Sequence, residues 1–225
     1  MRLFFILAIV LASLTFAFGQ NEQSPIVQKD IEYRDWTYKR VTSGEEINLR
    51  KFIDGKKLVM VVYFAPWCGN WRHDLPFVQS MYNKYHDKGF DVIAVGEYDP
   101  VDSMKSHVSQ FKLTFPVVSE SDARTAKQTT LHYQYRQSSG DTRNWGSPWY
   151  IFLDPTKLET KGDLLLTSAP VVNGELIQAE AEKFIKEKVG AKPGDDSKLN
   201  SSVTAEPCDP AKPSATNLVK PSGKP

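Results

Sequence analysis

Leu58-Val59-Met60-Val61-Val62-Tyr63-Phe64-Ala65-Pro66-Trp67-Cys68-Gly69-Asn70-Trp71-Arg72-His73-Asp74-Leu75-Pro76 passes from an unbroken apolar run, through a turn, into an amphipathic pattern. Its first seven residues are apolar and rich in β-branched side chains, the pattern of a strand covered on both faces in the middle of a parallel or mixed sheet. Residues 65–69 end the run. Over residues 70–85, Trp71, Leu75, Val78, Met81, Tyr82 and Tyr85 recur at three- and four-residue steps, which predicts a helix with one buried face. Pro76 falls inside it and removes a backbone donor, so a kink is expected there. Lys88-Gly89 closes the helix, and residues 90–95 read as a second buried strand, which completes a strand-helix-strand unit of right-handed crossover.

Working outward, Asp102 or Ser103 is a candidate cap for a helix running through Phe111, and Phe115-Pro116-Val117-Val118 follows. Residues 133–144, rich in Gln, Ser and Arg, read as a polar surface loop. Residues 149–155 predict a third strand with a turn, and Leu164-Leu165-Leu166 a fourth. Residues 178–189 predict a closing helix with Ala181, Phe184, Ile185 and Val189 on one face. Strands and helices alternate, so the class is α/β.

The flanks differ in kind. Met1-Arg2 and the apolar run over residues 3–18, ending in Ala17-Phe18-Gly19, have the form of a secretory signal cleaved near Gly19. The run is too short for a bilayer-spanning helix and no positive cluster follows it. Residues 191–225 are rich in Pro and Ser and poor in aliphatic residues, which predicts a disordered tail. The expected organisation is a signal peptide at 1–19, one domain at 28–190 and a tail at 191–225. Removing leader and tail leaves 171 residues, enough for one full core and too few for two. Export, to a bacterial periplasm or outside the cell, implies an oxidising compartment. With 28 basic and 27 acidic residues the net charge is +1, so no positive field exists to gather nucleic acid. Two cysteines, Cys68 and Cys208, are too few for a disulfide scaffold or a four-thiolate metal site, and no cofactor or metal is expected.

A cysteine between a central strand and the first turn of a helix is placed for reactivity, because unpaired amides and the helix dipole favour the thiolate. Cys68 holds that position, with Arg72 and His73 a turn away. The segment at residues 61–76, with the strand at 90–95, Phe115-Pro116-Val117-Val118 and Ser147-Pro148 before a strand, resembles the active-site framework of the thioredoxin superfamily. It is most similar to the exported thiol-disulfide oxidoreductases of the TlpA and ResA type, in the redoxin (AhpC/TSA-type) group. The resemblance implies a thioredoxin fold, a central mixed β-sheet flanked by helices in a three-layer α/β/α arrangement. It also implies a cis-proline loop, with Pro148 as that proline, packed against the cysteine turn. The backbone at Ser147 is then open to pair with an extended substrate, Trp67 and Trp71 flank the site, and protein or small-molecule thiols and disulfides are the partners. Asp74 matches an acidic position of that group which assists proton movement. A solvated acid stabilising the helix N-terminus remains the alternative.

The motif departs from the family at one position. Where Cys-x-x-Cys is usual, Cys68-Gly69-Asn70-Trp71 replaces the resolving thiol with an indole, and release of a mixed disulfide then needs a thiol from elsewhere. Cys208 is a possible resolving cysteine, and a free or intermolecular thiol is the alternative. Three readings stand open. Cys68 acts as a monothiol oxidoreductase; or it reduces peroxides, although Ala65 stands where a Thr or Ser is usual; or the chain is a non-catalytic binding module, with Trp67, Trp71 and Trp149 forming an aromatic recognition surface. A copper-carrier reading has only Cys68 and His73 to offer. His107 and His132 read as solvated surface residues, and Asn200-Ser201-Ser202 as a glycosylation acceptor in a eukaryotic pathway.

Overall fold

The computed structural model describes residues 22–190. The expected leader, the tail with Cys208 and the Asn200 acceptor lie outside the described residues. In chain order the elements are β1 (Gln23–Ser24), β2 (Val27–Arg34), β3 (Thr37–Arg40), β4 (Glu46–Asn48), α1 (Leu49–Ile53), β5 (Leu58–Phe64), α2 (Gly69–Tyr85) and β6 (Phe90–Gly96). They continue with α3 (Val101–Phe111), β7 (Val117–Ser119), α4 (Leu131–Ser139), β8 (Trp149–Leu153), β9 (Leu164–Val172), β10 (Glu175–Leu176) and α5 (Gln178–Val189).

The main sheet has the order β2-β9-β8-β5-β6-β7-β3-β4. β5, β6 and β7 run parallel, while β8 is antiparallel to β5 and β9 to β8, so the sheet is mixed. β5 is buried along its whole length, as a strand covered on both sides requires. Its alternate side chains divide between two cores. Leu58, Met60, Val62 and Phe64 join Val78 and Met81 of α2, Met104 of α3 and Ala181 and Ile185 of α5. Val59, Val61 and Tyr63 join Leu49 and Ile53 of α1, Tyr135 of α4 and Trp149 of β8. Helices therefore cover both faces of the sheet, and the expected three-layer α/β/α architecture is present.

Several local expectations need correction. Residues 131–139 are the helix α4 rather than loop; Thr130 caps it, its hydroxyl oxygen accepting from the Tyr133 amide at 3.0 Å. Pro100, not Asp102 or Ser103, occupies the N-cap of α3, and Asp102 lies in the first turn, where it pairs with Lys105 at 3.1 Å. β9 extends well beyond Leu166, to Val172. Among the described residues no helix is long and apolar enough to cross a membrane.

Candidate active site around Cys68

Cys68 is the N-cap residue of α2, immediately past β5 and the 65–67 turn, with its amide donating to the Ala65 carbonyl at 3.0 Å. Its backbone is extended (φ −74°, ψ 123°) and its side chain makes no capping bond. The first turn of α2 carries no acidic residue and includes Arg72, whose amide donates to the Cys68 carbonyl at 3.2 Å. The position therefore lies at the positive end of the helix dipole, with no carboxylate in the first turn.

Across the site, Ser147-Pro148 forms a cis peptide bond. Cys68 Sγ lies 3.1 Å from the Ser147 carbonyl oxygen, and the Ser147 hydroxyl accepts from the Ala65 amide at 2.9 Å. Two loops distant in sequence are thereby fixed against each other, with the sulfur between them. Cys68 is buried and disulfide-bonded. The chain has one other cysteine, Cys208, outside the described residues.

Trp71 is not a recognition residue at the surface. It is fully buried against Phe64, ring centroids 4.9 Å apart, and its indole N–H donates to His107 Nε2 at 2.9 Å. Trp149 is equally buried on the opposite face of the sheet and donates to Asn173 Oδ1 at 2.8 Å. The expected surface of Trp67, Trp71 and Trp149 is therefore not formed. His107 and His132, expected in solvent, are buried as well. Burial lowers the His107 pKa to about 3, which keeps its ring neutral as an acceptor, and His132 Nδ1 bonds the Tyr98 hydroxyl at 2.8 Å.

Trp67 alone of the three stays at the edge of the site. Its ring meets Trp145 edge-on at 5.5 Å, the Arg124 guanidinium lies 5.1 Å from its centroid, and Lys127 Nζ lies 4.8 Å from that of Trp145. Both indole nitrogens, Trp67 Nε1 and Trp145 Nε1, are buried with no acceptor. Residues 124–145 were not singled out as site residues from sequence, although a tryptophan within a polar stretch was a usable signal.

Asp74 is fully buried, so the solvated reading of this acid is excluded. Its Oδ2 accepts from the Tyr150 hydroxyl at 2.7 Å and from the Leu176 amide at 2.8 Å. Burial raises the Asp74 pKa against these bonds. His73 Nδ1 stands 3.6 Å from Asp74 Oδ1 and 3.7 Å from Glu175 Oε2, and its contact with Asp74 raises its own pKa. Burial, reinforced by the charge of Asp74, pushes Glu175 up to about 7. Sequence reading missed Glu175, which reaches the cluster through the pairing of β10 with β1. His73 thus faces carboxylates, and among the described residues no group of three or more metal-ligating side chains is assembled.

Comparison with known proteins agrees with this framework. ResA of Oceanobacillus iheyensis, a thiol-disulfide oxidoreductase, is 26% identical over 115 residues, 50% of this chain and 60% of that protein. ResA of Bacillus thuringiensis is 32% identical over 74 residues, 33% of this chain and 42% of that protein. The chain thus matches less than two thirds of the length of these relatives. A sunflower (Helianthus annuus) protein named "Probable phospholipid hydroperoxide glutathione peroxidase" is 23% identical over 176 residues, 72% of this chain and 91% of that one. A thiol:disulfide interchange protein of the thioredoxin family from Chlorobium tepidum shares the fold, with a TM-score of 0.53 at 16% identity over 72% of this chain and 98% of that one. With the thioredoxin fold in place and residues 31–145, about half of the sequence, matching the AhpC/TSA family, the chain belongs to that family.

Proposed function

We propose that this protein is an exported thiol-disulfide oxidoreductase that works through Cys68, with Cys208 as its resolving thiol and protein or small-molecule disulfides as substrates. The observation that carries the reading is the seat of Cys68 at the N-cap of α2, with its sulfur against the cis Ser147-Pro148 loop. In the forward step the Cys68 thiolate attacks one sulfur of a substrate disulfide and the other sulfur leaves as a thiolate. Cys208 then attacks the Cys68 sulfur of the mixed disulfide, releases the second substrate thiol and leaves a Cys68–Cys208 disulfide. An external dithiol returns both to the reduced state. The bonded state of Cys68 in a chain with one other cysteine supports that pairing.

Asp74 takes the role of proton handler, supported by its burial and raised pKa, with Tyr150 as the group that holds it. Ser147, Pro148 and Trp67 shape the groove that a substrate enters. Export rests on the form of residues 1–19. Reduction of insulin disulfides with dithiothreitol as donor tests the reading. Cys68→Ala abolishes the catalysed rate, whereas Cys208→Ala slows turnover and accumulates mixed disulfide. Equal activity of Cys68→Ala and wild type overturns it.

The sunflower relative favours a second reading, a thiol peroxidase passing through a Cys68 sulfenic acid. Ala65 offers no hydroxyl three residues before the cysteine. Consumption of hydrogen peroxide that depends on Cys68, without insulin reduction, selects it. Inactivity in both assays selects the non-catalytic binding module.

A further inference from the structure

Cations and indoles gather beside the Cys68 turn, and Lys127 Nζ also donates to the Asn144 carbonyl and Oδ1 at 3.1 Å. Arg124 and Lys127 come from the 3₁₀ turn Arg124–Thr129 and lie over the rings of Trp67 and Trp145. Arg72 stands one helical turn beyond the cysteine and donates from Nε to the Pro66 carbonyl at 2.9 Å, with the opposing charge of Asp99 nearby. Trp67 is 8% exposed, and its Nε1, like that of Trp145, is buried without an acceptor. A buried donor left unpaired is costly, so the two indoles call for an oxygen acceptor from a bound group. Three cations and two such donors beside a sulfur suit an extended anionic segment that carries its own thiol.

The sequence contains such a segment, Glu206-Pro207-Cys208-Asp209, with a carboxylate on each side of the second cysteine. We propose that the rim formed by Arg72, Arg124 and Lys127 with Trp67 and Trp145 is a docking site for residues 206–209, and that their charge delivers Cys208 to Cys68. This rests on the reading of Cys208 as the resolving thiol. Residues 191–207 supply up to about 56 Å of chain at ~3.3 Å per residue. A domain of this size has a radius of gyration of about 15 Å, so an extended segment of that length reaches most of its surface. The bond formed is Cys68–Cys208. Its two electrons pass to an external disulfide, which leaves as two thiols.

The test equilibrates the reduced full-length chain in buffers of glutathione and glutathione disulfide and quantifies the Cys68–Cys208 bond by intact mass. Compared with wild type, Arg124→Glu with Lys127→Glu lowers the equilibrium constant for that bond about three- to tenfold, the sum expected of two partly exposed ion pairs. Glu206→Lys with Asp209→Lys does the same, and combining the four changes recovers most of the loss. The same reversal of charge at Lys183 on α5 has no effect, and the differences shrink at high salt. An unchanged constant in both double variants, with the disulfide forming normally, overturns the docking proposal alone. Absence of any Cys68–Cys208 bond in the wild type, while iodoacetamide alkylates Cys68, overturns the resolving role beneath it. A constant lowered by the rim changes but not by the segment changes assigns the rim to an external acidic substrate and contradicts the proposal.

Discussion

Trp71 stands where a resolving thiol is usual, and its surroundings show why a simple reversal is not open to the chain. The indole fills the core beside Phe64, and its N–H satisfies a buried, neutral His107. Trp71→Cys restores the motif in name but empties the space of an aromatic ring, at a cost of about 3–5 kcal/mol. Trp71→Phe separates packing from hydrogen bonding, since a ring remains but the donor is lost. We expect it to lower stability by about 1–2 kcal/mol in urea unfolding, because His107 Nε2 is left buried and unpaired. His107→Phe in the same background should recover part of that loss. The position of Cys68 was legible because the strand-to-helix turn can be read from apolar periodicity alone. The exclusion of Trp71 from the surface was not, because a tryptophan at i+3 from the cysteine fits a buried stripe and a recognition surface equally well. What decides between them is His107, 36 residues away.

At the scale of elements, β5 and α2 were readable and α4 was not, for a shared physical reason. The buried face of α2 is mainly apolar, whereas α4 buries His132, Tyr135, Arg136 and Ser139. Polar residues bury only with partners, and these come from elsewhere: Asp141 takes Arg136 Nε at 2.9 Å, and Asn173 Oδ1 accepts from Ser139 Oγ at 2.9 Å. No periodicity of apolar residues announces such a helix. β2 was missed because its buried Ile31 and Tyr33 alternate with Asp30, Glu32 and Arg34 over too few residues to stand out. α4 also anchors the segment that carries Lys127 and Trp145. The Thr130 hydroxyl caps α4 and donates to the Lys127 carbonyl at 2.9 Å. Thr130→Ala is expected to cost about 1 kcal/mol and to raise amide hydrogen exchange over residues 124–133, with β5 unaffected. Gly146 takes a positive φ of 59° one residue before Ser147, and a Cβ there would collide with the Arg136 side chain at 1.7 Å. That glycine holds the cis-proline loop and α4 at close approach.

For the whole molecule, the buried acids give stability a definite dependence on pH. Glu175 has a folded pKa of about 7, above the ~4.3 of an unfolded glutamate. Between those values the native state keeps a proton that the unfolded chain has released. Stability therefore falls as pH rises through that window and levels off above it. The raised Asp74 and the raised His73 act in the same direction, since each also binds its proton more tightly in the fold. Glu22 and Arg143 face the cluster with opposed charges. Unfolding free energies should be higher near pH 5 than near pH 7.5, with Glu175 contributing on the order of 2–3 kcal/mol. Glu175→Gln should flatten the profile and match or exceed the wild type at pH 7.5. An unchanged slope removes Glu175 from the cluster. The three-layer architecture was legible from alternating strands and helices; this cluster was not, because it joins α2 to β10 across 102 residues.

Trapping the intermediate shows whether Cys68 is an exchange thiol that Cys208 resolves. Native Cys208→Ser is reduced, exposed to glutathione disulfide, and analysed by intact mass and peptide mapping. The expected product is a single glutathione adduct on Cys68 that persists until an external thiol is added. An unmodified Cys68 in the folded protein, reacting only after denaturation, would contradict it.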